Sequence, residues 1–372
     1  MHNITIIYLG KKGAGSVFAY EMTKALINQN CGMTCILSEY IENYESFMSI
    51  KNANRNLVLY FIKTYKSKIQ FIVNTLNIFN YLKIKKIVEN TKSDYIYIPM
   101  ISIWSSILCF FIRNKKIITT IHDVESHRGE KNIILDNIYS FSIRKSRKII
   151  ILSQRFLAPV MKKYKITQEN ICWIPHANYD FYVPEKYTEN IKKQKQIYNK
   201  VLFFGRIHKY KGLEILLKAM DLLVKLDEKI ILKIVGDGKL SESENKLIEK
   251  LGDRIELINR WISDDEVYSF FDDIDFTILP YIEASQSGVI MLSYSFKKPV
   301  IVTEVGGLPE QVNPSTGIII PPNDEKALSE AIIKLYEEPS KIFQMGNAAY
   351  NFATNELTWE KSAEKLIEFI QE

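Results

Sequence analysis

The 372-residue sequence is poor in the residues that build metal and disulfide sites. It has four cysteines, Cys31, Cys35, Cys109 and Cys172, and five histidines. There is no Cys-x-x-Cys pair and no histidine at zinc spacing from a cysteine. That excludes a zinc ribbon and a disulfide scaffold, and it fits reduced thiols in a cytosolic protein. The amino terminus, MHNITIIYLG, lacks a basic segment followed by a cleavable apolar stretch, so no secretion signal is expected. The loop Gly13-Ala14-Gly15-Ser16 lacks the third glycine of a dinucleotide fingerprint, and no acid closes the second strand. NAD binding is therefore disfavoured. No RNA- or DNA-binding module matches, and nucleic acid is not an expected partner.

Long apolar runs are also scarce. Tyr95 to Ile112 is uncharged for 18 residues, at the threshold for a spanning helix, but Pro99 divides it. Its first part reads as a buried strand and its second as a buried helix. Residues 61–88 mix Phe, Tyr, Ile and Leu with lysine at irregular helical spacing. Such a helix suits either an anionic membrane surface or the face of its own sheet with lysines outward.

What the sequence has is length for about two domains and a charge divided by halves. Residues 1–200 hold 30 lysines and arginines against 14 acids, and the remainder holds 19 against 29. The basic half suits nucleic acid, anionic lipid or an acidic substrate, or it is a solvated lysine-rich surface.

Strands and helices alternate from Ile4 to Leu152 and again from Lys200 onward, which indicates parallel sheets covered on both faces. The expected organisation is α/β, two doubly wound Rossmann-like domains facing a cleft. Residues 1–184 form the first domain, 185–199 a charged linker, 200–350 the second domain, and 351–372 a closing helix expected to pack back across the domains. Ligands of such sheets bind beyond the carboxyl ends of the strands.

Three loops follow strand ends in the second half. In Gly205-Arg206-Ile207-His208-Lys209-Tyr210-Lys211-Gly212, two cations five residues apart flank a turn before a helix, which suits a diphosphate. In LPYIEASQSGVIML, Ser287 and Gly288 sit where strand gives way to helix. Their N–H groups are expected to face the cleft, with Gly288 allowing close approach of a phosphate. The third loop is Val305-Gly306-Gly307-Leu308-Pro309-Glu310. In the first half, His122, Asp123, Glu125 and His127 cluster after a strand. The histidine spacing does not suit a metal, and His122 at a strand end reads as a hydrogen-bonding or acid–base group.

The stretches FFGRIHKYKGLEILLKA, LKIVGDGKL, KKPVIVTEVGGLPE and TGIIIPPNDEKALSEAI resemble the family-four retaining glycosyltransferases of the GT-B fold, the group 1 glycosyl transferases. ITTIHDVESH and WIPHANYDFY match more loosely. The resemblance implies transfer of a hexose from a UDP- or GDP-sugar, with retention and with no cofactor or metal. Arg206 and Lys211 match the family's diphosphate pair. Ser287, Gly288 and Val289 would lie at the phosphates, and the base would lie against Trp261 and Ile262. Gly15 would approach the diphosphate from the first domain, His122 would sit by the transferred sugar, and Asp123 and His127 would lie on the acceptor side. The Asp273-Ile274-Asp275 triplet looks like a metal motif of a different fold and is expected to be a structural feature here. The family's two loop glutamates fall on Ala284 and Leu292, so both are missing, and Gln286 is the expected sugar contact with Glu283 aside.

The expected acceptor is a lipid-linked saccharide for surface polysaccharide (lipopolysaccharide, O-antigen or capsule). The expected location is cytoplasmic, peripheral on the inner face of the plasma membrane. A nucleotide-sugar epimerase and a non-catalytic sugar-nucleotide binder are the alternatives.

Overall fold

Strands such as Lys148–Ile151 (KIII) and Val300–Thr303 (VIVT) are apolar at nearly every position. Only a parallel sheet covered on both faces buries such strands fully. The computed structural model describes residues 2–112, 116–124, 132–185, 196–226 and 228–372, and it contains two such sheets. The first comprises β1 (Asn3–Tyr8), β2 (Gly32–Ser38), β3 (Leu57–Ile62), β4 (Tyr95–Ile98), β5 (Lys116–Ile121), β6 (Lys148–Ile151) and β7 (Ile171–Trp173). All pairs are parallel, in the order β3-β2-β1-β4-β5-β6-β7.

The second sheet comprises β8 (Lys200–Phe204), β9 (Ile231–Val235), β10 (Ile255–Ile258), β11 (Phe276–Leu279), β12 (Val300–Thr303) and β13 (Gly317–Ile320). It is also parallel, in the order β10-β9-β8-β11-β12-β13. Strand order reverses between β1 and β4 and between β8 and β11. Loops leaving such neighbours diverge and open a crevice at the carboxyl edge. One core of the second unit packs Val201, Phe203 and Ile278 from the strands against Leu216, Met220, Leu328 and Ile332 from two helices.

The described residues fall into two compact units. One takes residues 2–124 and 132–175 together with Trp359–Glu372, and the other takes His176–Thr358. The closing helix, Trp359–Gln371, is therefore part of the first unit. Tyr95 and Lys148, at the amino ends of β4 and β6, donate to the carbonyls of Ile370 (2.7 Å) and Phe369 (2.5 Å), and Trp359 meets Phe18 edge-on at 5.0 Å. The helix Pro339–Glu356 stays with the second unit, where Gly346 lies against the Lys297 carbonyl.

Several expectations are corrected. Residues 176–184, expected in the first domain, belong to the second unit. There the Tyr179 N–H donates to Ser295 Oγ (3.1 Å) and the Asn178 N–H to the Leu357 carbonyl (2.7 Å). Of the expected linker, residues 186–195 lie outside the described residues. Strands β3 and β7 lie at the two edges of the first sheet, and neither was anticipated. Residues 61–88 form the end of β3 and two helices, Lys68–Leu76 and Ile78–Asn90, divided at Asn77. Tyr95 to Ile112 is, as expected, a strand and then a helix: β4 and the short helix Ile103–Phe111. Among the described residues no helix is long and apolar enough to cross a membrane.

The Asp273-Ile274-Asp275 triplet precedes β11, at the amino edge of the second sheet. Buried Asp275 accepts from the backbone N–H groups of Tyr198 (2.9 Å) and Lys200 (3.0 Å) and from the Tyr336 hydroxyl (2.9 Å). Asp273 pairs with Lys200 at 2.8 Å and with Lys233. A four-residue strand is about 13 Å long, so both acids stand a strand's length from the loops at the carboxyl edge. Asp275→Ala would leave two amides and a phenol without their acceptor. We expect a loss of about 2–4 kcal/mol in urea unfolding, since each orphaned group costs about 1–3 kcal/mol. An unchanged unfolding midpoint would show that Asp275 does not tie the strand entry.

Candidate functional site

The loops leaving β8, β9, β10, β11 and β12 are tied to one another at the carboxyl edge of the second sheet. The Ile207 N–H donates to the Asp237 carbonyl at 2.8 Å, and the Ile282 N–H to the Tyr210 carbonyl at 2.7 Å. Asn259 exchanges two hydrogen bonds with Gly238, and Gly307 donates to the Ser285 carbonyl. Gly212 adopts φ +70°, and a Cβ there would collide with the Pro280 carbonyl, so no side chain fits. The backbone of each loop is therefore set by its neighbour.

Within this frame the β8 loop presents Arg206 and Lys211. Lys211 closes a short 3-10 turn, Lys209–Lys211, and is buried. Its ammonium lies 5.1 Å from the Tyr281 ring centroid, and a Cβ on Gly205 would come within 2.8 Å of it. Among the described residues it makes no hydrogen bond or ion pair, and neither does exposed Arg206. Burial, and then the nearby Arg206 charge, lower the Lys211 pKa to about 8. Two like charges held together with no acid between them attract an anion with two charged groups, which is the chemistry of a diphosphate.

The β11 loop supplies the other face. Helix Gly288–Ser295 begins at Ser287, whose Oγ accepts from the Val289 N–H at 3.3 Å. The Ser287 N–H, expected to face a phosphate, instead donates to Gln311 Oε1 at 2.8 Å, while Gln311 Nε2 donates to the Ser287 carbonyl at 3.1 Å. That two-point clamp fixes the start of the helix and removes the Ser287 N–H from the available donors. The Gly288 N–H remains, with no partner among the described residues. A Cβ at Gly288 would stand 3.0 Å from the Tyr179 hydroxyl and 3.5 Å from His176 Nε2. Gln286 Oε1 is buried without a hydrogen-bond partner among the described residues. Ala284 carries no polar side-chain atom, and Leu292 is buried and apolar, so neither position offers an acceptor.

The β10 loop places exposed Trp261 and half-buried Ile262 at the same edge. Arg260 straps this loop through Glu266 and the Trp261 carbonyl, and Ser263 also donates to Glu266. The Arg260 contact holds the Glu266 carboxyl near 2. After the strap the chain makes the 3-10 turn Val267–Phe270.

Gly15, His122 and Asp123 lie at the carboxyl edge of the first sheet. Gly15 packs under the Tyr8 hydroxyl and Met100 Sδ, each 2.7 Å from where a Cβ would stand, so its small size is already required inside this unit. His122 Nε2 lies 2.8 Å from the Pro99 carbonyl, and its ring meets Phe18 edge-on at 5.3 Å. Burial lowers its pKa, and the carbonyl can only accept. The ring is then neutral with the proton on Nε2, which leaves Nδ1 as an acceptor. Asp123 is exposed beside it, and His127 lies outside the described residues. The sequence did not single out His176, Tyr179 or Gln311. The first two lie in the loosely matching WIPHANYDFY, and Gln311 directly follows GGLPE.

Residues 198–338 match the family model described as Glycosyl transferases group 1. The D-inositol 3-phosphate glycosyltransferase of Corynebacterium aurimucosum is 26% identical over 223 residues, covering 56% of this chain and 52% of that protein. The capsular polysaccharide biosynthesis glycosyltransferase CapM of Staphylococcus aureus is 22% identical over 67% of this chain and 69% of its own length. Among solved structures, Anabaena HepE in complex with UDP and glucose superposes with a TM-score of 0.74 at 16% identity, covering 100% of both chains. The chain spans about half the length of the first curated relatives it matches. Its fold is that of the GT-B glycosyltransferases. The match to the group 1 glycosyl transferases lies within the second unit.

The clamp on Ser287 has a measurable weight. Gln311→Leu removes both hydrogen bonds and leaves the buried Ser287 N–H unpaired, at about 1–3 kcal/mol, while the Ser287 carbonyl keeps the Ile290 N–H at 3.3 Å. Urea unfolding should shift by at least about 1 kcal/mol. A variant as stable as the parent would mean that Gln311 does not secure the helix start.

Proposed function

We propose that the protein transfers a hexosyl group from a UDP- or GDP-sugar, with retention and without a metal ion, to a lipid-linked or saccharide acceptor in surface polysaccharide synthesis. The observation that carries the reading is the unpaired Arg206–Lys211 pair at the carboxyl edge of β8. As the bond to the sugar breaks, negative charge grows on the departing diphosphate. Fixed cations stabilise that charge more than they stabilise the bound substrate. The Gly288 N–H at the helix start adds a further donor. Trp261 and Ile262 offer an apolar edge for the base, and Gln286 Oε1 offers a buried acceptor for a sugar hydroxyl. Retention and the lipid-linked acceptor follow from the resemblance. The similarity to a capsular polysaccharide glycosyltransferase favours a saccharide acceptor, and the basic first half favours work at an anionic membrane on the cytoplasmic side.

The cation pair is tested by turnover and by UDP affinity. Arg206→Ala and Lys211→Ala should each lower turnover at least about tenfold with the fold retained, since charged hydrogen bonds contribute about 1.5–3 kcal/mol. The ammonium form of Lys211 binds the anion, so UDP affinity should fall as pH rises through about 8. Arg206→Ala removes a like charge and should move that fall to higher pH. EDTA should leave transfer intact. Near-normal turnover in both variants would defeat the assignment, and an absolute need for Mn²⁺ after chelation would defeat metal independence.

Sugar recognition is tested separately. Gln286→Ala should lower kcat/KM for the true donor roughly tenfold to a hundredfold, and Glu283→Gln much less. The opposite ranking would make Glu283 the sugar ligand.

A further inference from the structure

The helix Lys68–Leu76 carries its apolar residues on the wrong side for a core. Ile69, Ile72, Val73 and Leu76 recur at i, i+3, i+4 and i+7, so they share one face. That face is exposed: the four residues are 75%, 60%, 59% and 79% accessible. No residue of this helix is fully buried. Asn77 ends it and caps the next helix, Ile78–Asn90, by accepting from the Phe79 N–H at 3.1 Å. The second helix is anchored by buried Tyr81, Ile84 and Val88, while Phe79 and Leu82 stay exposed. Asn74 Nδ2 donates to the Thr64 carbonyl, and Phe71 meets the Tyr65 ring at 4.8 Å, so the short helix is held in place from its inner side. Exposed apolar faces of this kind mark a binding surface.

Charge identifies the occupant. From residue 46 to residue 88 there is no acid, and there are eight cations: Lys51, Arg55, Lys63, Lys66, Lys68, Lys83, Lys85 and Lys86. Lys63, Lys66 and Lys68 precede or begin the first helix, and Lys83 and Lys86 are exposed on the second. We infer that these two helices are a membrane-docking surface. Ile69, Ile72, Val73, Leu76 and Phe79 enter the headgroup boundary of an anionic bilayer, and the lysines around them face lipid phosphates. The inference sharpens the membrane location proposed above, but it rests on this face alone. A binding assay without donor or acceptor can therefore fail while the transferase reading stands.

The test is cosedimentation of the full chain with phosphatidylcholine vesicles, with and without phosphatidylglycerol, across a range of salt. The parent should bind only the vesicles with phosphatidylglycerol at low salt and release as salt rises. The triple variant Ile72→Ser, Leu76→Ser, Phe79→Ser should bind at least about tenfold more weakly, because each side chain forfeits apolar burial. Its circular dichroism should match the parent, since the three residues are exposed. Lys83→Gln with Lys86→Gln should weaken binding and flatten its salt dependence. Parental vesicle affinity in the triple variant would overturn the inference. So would equal binding to neutral vesicles at all salt concentrations. A parent that dimerises without lipid while the triple variant stays monomeric would assign the face to a second copy of the chain instead.

Discussion

The site in the second unit depends on a buried ammonium kept without a counter-charge. Among the described residues no carboxylate contacts Lys211, which lies next to Arg206, and both burial and the neighbouring cation act against its charged form. Such an arrangement persists only where the surrounding chain leaves the side chain no other place. Gly212 at φ +70° against the Pro280 carbonyl and Gly205 at φ +106° beside the ammonium supply that constraint. The Tyr281 ring offers the ammonium a polarisable face in place of an acid. A diphosphate bound there, as proposed, would relieve an existing repulsion as well as form new contacts.

The second sheet separates structural charge from functional charge. At its amino edge Lys200, Lys233, Glu256 and Asp273 neutralise one another, and Asp275 accepts from two amides and a phenol. At its carboxyl edge Arg206 and Lys211 are left unpaired. The same residue types serve opposite purposes a strand's length apart, and the distinction lies in whether a partner is present.

Glycines and amides at the β11 loop show how backbone donors are allotted. Gln311 occupies the Ser287 N–H and carbonyl, so the loop's conformation is fixed by a side chain from beyond β12. Gly288 packs against Tyr179 and His176, which come from the segment entering the second unit. Gln286 Oε1 lies in the same loop, buried and with no hydrogen-bond partner among the described residues.

Much of the fold was legible because parallel strands buried on both faces are written as unbroken apolar runs, as in KIII and VIVT. The edge strands β3 and β7 were not, since Val58 and Tyr60 are exposed and alternate with more buried neighbours, and β7 is three residues long. Arg206, Lys211 and the Ser287-Gly288 turn were legible from spacing and from resemblance. The succession of buried apolar strands and the placing of the charged loops along the chain follow from the order of residues alone. Which charges are paired does not. Pairing joins residues far apart in the chain, such as Asp275 with Tyr336 and Ser287 with Gln311, and these meet only when the sheet brings their elements side by side.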